Sequence, residues 1–182
     1  QALVATKIAS NFATLAGSTD NALALVNALR NGTDVTLTST VPPPEGSTEP
    51  PTTTTTTFTP PTGKMGWGEV KHALAYLRLI ENPNDDTSFL RVVNFPARGI
   101  GARTIEQLQD AARASGRSLL QSVGAVTGRA GANLQAFVAL VEAMRAATTG
   151  LTLREIIEHV VQASGLADFY RTDKEGQDRL EN

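Results

Sequence analysis

Cysteine is absent from the 182 residues, which excludes a disulfide framework, thiolate metal ligands and a cysteine nucleophile. Long hydrophobic runs are absent too: no stretch approaches the roughly eighteen apolar residues of a membrane-spanning helix. Neither sign of charge dominates. Sixteen Lys and Arg stand against eighteen Asp and Glu, a net charge of −2, so a site for a polyanion must be local. The chain opens at Gln1 without a Met, and no basic stretch precedes an apolar segment, so no secretory signal is read and a fragment is expected. The length suits one domain, or one domain with a tail.

Cations are unevenly placed. Residues 1–63 hold only Lys7 and Arg30, and the remainder follow from Lys64 onward. Leu3 to Leu15 and Asp20 to Arg30 read as short helices, the second carrying Ala22, Leu25, Val26 and Leu29 on one side and ending at Asn31-Gly32. Val35, Leu37 and Val41 alternate with polar residues as in a strand, with no partner evident in the sequence. Prolines at 42–44, 50, 51, 60 and 61 surround six threonines at 52–57. Such a tract cannot bury enough apolar surface to offset its ordering entropy, so residues 42–68 are expected to be an extended Thr/Pro-rich linker after an unassigned segment, 1–41. Phe58, Met65 and Trp67 read as an apolar anchor at its end.

Beyond the linker the pattern is mainly α. Over Glu69 to Glu81, Val70, Ala73, Leu74, Leu77 and Ile80 share a face that Tyr76 and Leu79 widen. Asn82-Pro83-Asn84 ends this helix; Asn84 or Asp85 can cap the next, through Phe89, Leu90, Val92 and Val93, which must stop before Pro96. Further helices are expected from about Ala130 to Ala147 and from Leu153 to Ala163. Ser118 with Gln121 and Thr152 with Glu155 have capping-box spacing, and Gly116, Gly150 and Gly165 stand where helices end. His72 and His159 lie on helices with no partner at metal-ligand or triad spacing.

Between two of these helices lies a Gly99-Ile100-Gly101 turn flanked by Arg98 and Arg103. Glycines one residue apart permit positive φ, so successive N–H groups can converge on an anion. Thr104 with Gln107 has capping-box spacing, which places the turn at a helix N-terminus, where orphan N–H groups and the dipole favour phosphate. From Arg91 to Arg129 six arginines face only Glu106 and Asp110. This is the arrangement of a helix-hairpin-helix-like turn that grips a nucleic-acid backbone without reading bases. The alternative is a turn that merely reverses the chain, in a helical protein-interaction module whose arginines are solvated.

The strings EVKHALAYLRLI over 69–80, NDD at 84–86 and RVVNFPARGIG over 91–101, followed by SGL at 164–166, Tyr170, Lys174 and RLEN at 179–182, resemble the superfamily 1 DNA helicases of the UvrD/PcrA/Rep type. The resemblance covers residues 69–182. It implies a multi-helix accessory subdomain, usually called 2B, incomplete at its C-terminus, from a bacterial, cytoplasmic, nucleoid-associated helicase that unwinds DNA in replication or repair. It further implies that Arg98, Gly99, Ile100, Gly101, Arg103 and Thr104 contact duplex DNA phosphates, and that the parent's ATPase domains are partners. ATP and Mg²⁺ would be bound outside this segment. Within it Gly63-Lys64 precedes Met65 rather than Ser or Thr, Phe58 replaces the first P-loop glycine, and Asp85-Asp86 read as capping. No acid/base or nucleophile constellation is present, so the chain alone is expected to be catalytically inactive.

Overall fold

A computed structural model describes residues 2–10 and 13–181. Gln1, Asn11, Phe12 and Asn182 lie outside the described residues, among them two positions of the helix expected over Leu3 to Leu15 and the last residue of RLEN. Among the described residues the chain is mostly helical with one two-stranded sheet, and it divides into two units, residues 1–70 and 71–182.

In the first unit, α1 (Ala2–Ser10) and α2 (Ala13–Ala16) pack on α3 (Thr19–Asn31). α3 starts where Ser18 accepts a bond from the Asn21 N–H at 3.1 Å, and it buries Ala22, Leu25, Val26 and Leu29, the side that periodicity selects. Gly32 ends it at φ 66°, donating to the Ala28 carbonyl. A Cβ at Gly32 would fall 2.8 Å from the Lys64 nitrogen, so both the left-handed backbone and the close approach call for glycine.

Two expectations for this region need correction. β1 (Val35–Val41) does have a partner, and that partner is the threonine tract itself. β2 (Thr52–Phe58) runs antiparallel to β1, with Val35 opposite Phe58 and Val41 opposite Thr52. Apolar burial was the wrong criterion for this tract. Threonine is β-branched and favours extended backbone, and the ladder satisfies main-chain groups without a core. The hairpin's cross-strand pairs include a hydroxyl contact of 2.9 Å between Thr36 and Thr57. Asn21 ties the sheet to α3: its side chain donates to the Thr38 carbonyl and accepts from the Thr38 N–H, each at 2.9 Å.

α4 (Trp67–Glu81) follows, and the second unit continues with α5 (Asp86–Val92), α6 (Ala102–Ser115), a 3-10 turn (Leu120–Ala125), α7 (Gly128–Thr148), α8 (Leu153–Ala163) and α9 (Leu166–Glu181). Its core holds Phe89, Leu108, Leu134, Phe137, Met144, Ile157 and Val160, all buried. Phe89 meets Phe137 edge to face with ring centroids 5.4 Å apart. Asp85 caps α5, accepting from the Ser88 N–H at 3.1 Å, and Arg78 pairs with the same carboxylate at 3.1 Å. Ser118 and Gln121 bond reciprocally as a capping box at the start of the 3-10 turn, and Thr152 caps α8. Gly116, Gly150 and Gly165 all have positive φ at helix ends.

Between the strands, Glu45 and Gly46 are exposed. Limited digestion with a glutamate-specific protease is therefore expected to cut first at the Glu45–Gly46 bond, ahead of Glu106 and Glu142 within α6 and α7. Mass spectrometry of early products reads this, and first cuts within those helices would contradict it.

Candidate nucleic-acid interface

The site grows from Tyr76 on α4. Its ring is fully buried, so its hydroxyl must find partners. It lies within hydrogen-bonding reach of the Phe95 carbonyl and 3.2 Å from the Val92 carbonyl, and it accepts from Arg98 at 2.6 Å. Burial raises the Tyr76 pKa above the ordinary 10.0, and the charge and hydrogen bond of Arg98 pull in the opposite direction.

Arg98 points inward. Its guanidinium donates to the carbonyls of Val92 at 2.9 Å, Pro96 at 3.2 Å and Ser164 at 2.9 Å, with Val93 at 3.4 Å, and it lies 5.1 Å from the Phe137 ring centroid. Val92 is the last residue of α5, while Val93 and Ser164 are the C-caps of α5 and α8. The cation thus sits at the negative ends of two helices and satisfies carbonyls that have no intrahelical partner. Rather than aiming at solvent, it holds the turn.

Asn94 completes that turn from the other side, its Oδ1 accepting from the Arg98 N–H at 2.7 Å and the Ile100 N–H at 3.1 Å. Gly99 has φ 72°, a Cβ there would lie 2.9 Å from the Asn133 amide nitrogen, and Asn133 donates to the Gly99 carbonyl at 3.3 Å. Ile100 is buried, 2% exposed, and anchors the turn in the core. Gly101 differs from expectation. Its φ of −87° and ψ of 177° are extended backbone open to any residue, and it is the N-cap of α6.

The expected Thr104–Gln107 capping box does not form, because α6 has already begun at Ala102, and no side chain caps its first turn. Gly101, Ala102 and Arg103 are exposed there. α7 opens similarly after Thr127, without a side-chain cap and with Arg129 exposed in its first turn. The sequence-predicted residues therefore separate into two groups. Arg98 and Ile100 face inward, and Gly99 makes the bend, whereas Gly101 and Arg103 are exposed at the uncapped first turn of α6, with Thr104 half-buried behind them.

Other candidates resolve into packing. His72 stacks on Phe95 at 3.7 Å and its Nδ1 lies 2.8 Å from the Tyr170 hydroxyl. Asp86 accepts from the Leu119 N–H at 2.9 Å. Met65 is buried where a P-loop would present a hydroxyl, so residues 58–65 do not fit a nucleotide phosphate. Among the described residues no group of three or more His, Asp or Glu is placed to hold a metal ion, and no helix is long and apolar enough to cross a membrane.

The profile of the UvrD-like helicase C-terminal domain matches residues 67–175, which contain the whole of this turn. The chain belongs to the UvrD-like helicase C-terminal domain family. It is 42% identical to DNA helicase II of Escherichia coli K12 over 123 residues, which is 63% of this chain and 17% of that protein. Against the ATP-dependent DNA helicase PcrA of Bacillus subtilis 168 it is 35% identical over 121 residues, 63% of this chain and 16% of that one. The chain thus spans about a sixth of the length of these relatives.

Within this UvrD-like domain the sequence patterns give no role to Asn94, Asn133 or Ser164, although Asn94 and Ser164 stand in the strings that carry the resemblance. The one local signal was Tyr76: a tyrosine inside an apolar helix face needs a polar partner. Tyr76→Phe leaves an Arg98 donor and the Phe95 carbonyl short of a partner, and is expected to cost about 1–3 kcal/mol in denaturant unfolding. It also changes the pH response. Because the folded-state pKa is raised, the tyrosine's contribution is complete below about pH 10 and is lost as pH rises through the folded value. The wild type should lose stability on that alkaline limb, and Tyr76→Phe should flatten it; equal alkaline slopes in the two proteins would contradict the assignment.

Proposed function

We propose that residues 69–182 are the 2B accessory subdomain of an ATP-dependent DNA helicase, and that the subdomain contacts the backbone of duplex DNA with the first turn of α6. The observation that carries the reading is an exposed helix N-terminus without a side-chain cap, reached through a glycine turn and flanked by the exposed Arg103. Such an end offers N–H groups and a positive dipole to a phosphate, and these recognise backbone rather than sequence. In this reading α5, the turn and α6 act as a helix-hairpin-helix-like grip, with Arg98 and Asn94 as positioning residues and Arg103, joined by Arg129, as the cations. Relatives named as DNA helicases support the assignment. ATP and Mg²⁺ belong to the parent's ATPase domains, which are the subdomain's partners in the intact protein.

Fluorescence anisotropy of a labelled duplex across a salt series tests the reading. Each neutralised phosphate contributes roughly −0.9 to the log–log slope, so Arg103→Ala should flatten it by about one unit without changing preference among duplex sequences. Gly101→Asp separates binding from folding. Its φ is permissive and a Cβ there meets nothing within 4 Å, so the carboxylate caps α6 and stabilises it by about a few tenths of a kcal/mol. The same carboxylate occupies the N–H groups and repels phosphate, so affinity should drop. A helical protein-interaction module without DNA binding forecasts no salt-dependent duplex binding, or an unchanged slope in both variants.

A further inference from the structure

The opposite end of α6 carries a second surface. A groove of about 440 Å³ is lined by Asp86 and Leu90 of α5, by Ala112 and Arg113 of α6, and by Arg117 and Leu119 beyond it. Its floor is apolar. Leu90 is 39% exposed, whereas Phe89 and Val92 on the same helix are buried, so α5 turns one large apolar side chain away from the core into the groove. The wall is fixed, because Asp86 accepts from the Leu119 N–H at 2.9 Å and Ser118 donates to the Asn84 side chain at 2.8 Å.

The rim carries two arginines, while the one carboxylate that lines the groove, Asp86, is engaged by the Leu119 N–H. Arg117 is exposed, and Arg113 is 77% exposed with only a 3.5 Å contact to Asp110, itself 75% exposed. Exposed pairs of this kind hold weakly and exchange readily for a better-placed carboxylate. A bare phosphate backbone has nothing to fill an apolar floor, whereas an acidic segment bearing leucine-type side chains matches both floor and rim.

We propose that this groove docks an acidic, leucine-bearing peptide segment of a partner protein. The surface is separate from the duplex contact: Ala112 and Arg113 lie eleven and twelve residues along α6 from Gly101, about 17 Å. Leucine fills the floor over Leu90 and Leu119, and carboxylates pair with Arg113 and Arg117.

The test is anisotropy of a fluorescein-labelled peptide of about 12 residues, acidic at most positions with leucines one helical turn apart, titrated with the full chain. Saturable binding is expected, weakened about tenfold or more by Arg113→Glu with Arg117→Glu and likewise by Leu90→Glu. Lys71→Glu, a charge reversal at an exposed position of α4, should leave it unchanged. A matched peptide with serine for leucine should bind at least about tenfold more weakly. Circular dichroism confirms that each variant is folded, and the substituted side chains are all exposed. The proposal is overturned by absence of saturation up to millimolar protein, by binding that the groove variants retain, or by duplex DNA losing more affinity than the peptide in the double arginine variant. That last result would assign the groove to nucleic acid.

Discussion

One guanidinium organises the turn on which the functional reading rests. Arg98 joins the C-terminal ends of α5 and α8 to the buried hydroxyl of Tyr76 on α4, by bonds of 2.6 to 3.4 Å. A charged donor bonded to several carbonyls contributes on the order of 1.5–3 kcal/mol per bond, against well under that for a solvated surface arginine. The planar fork matters, because a lysine in its place has a compact ammonium that cannot reach the same set of acceptors. With Arg98 in place, Asn94 closes the loop and Ile100 seats it in the core. Gly101 and the first turn of α6 are left at the surface.

In the proposed reading, positioning and binding fall to different residues within one short segment: the arginine that precedes the glycines holds the turn, and the one that follows offers charge at the surface. A preorganised N-terminus loses little on meeting a phosphate, because its N–H groups are already aligned and no loop has to be ordered. The family match covers residues 67–175 and so includes this turn, without singling out any residue within it.

Much of the helical unit was legible because burial and periodicity coincide. The helix expected over Leu153 to Ala163 has those bounds, and α3 buries the four residues that its spacing selects. What escaped was either non-local or depended on a residue with no side chain. Arg98 looked like a solvent-facing cation because its Ser164 partner is 66 positions away, and Gly99 meets Asn133 across 34. The start of α6 was displaced because glycine leaves no capping signal, so Thr104–Gln107 offered a plausible but later one. Apolar content says nothing about the threonine tract, because β2 is held to β1 by ladder bonds while its six β-branched threonines stay exposed.

The central claim is that backbone N–H groups at the start of α6 meet duplex phosphates. Backbone amide NMR of the labelled chain, titrated with a short duplex, tests it directly. The account predicts that the largest shift changes cluster at Gly101, Ala102, Arg103 and Thr104, with the Arg98 and Ile100 amides, held by Asn94, moving much less. Shift changes confined to other surfaces, with the Gly101 to Thr104 amides unmoved at saturating duplex, would contradict it.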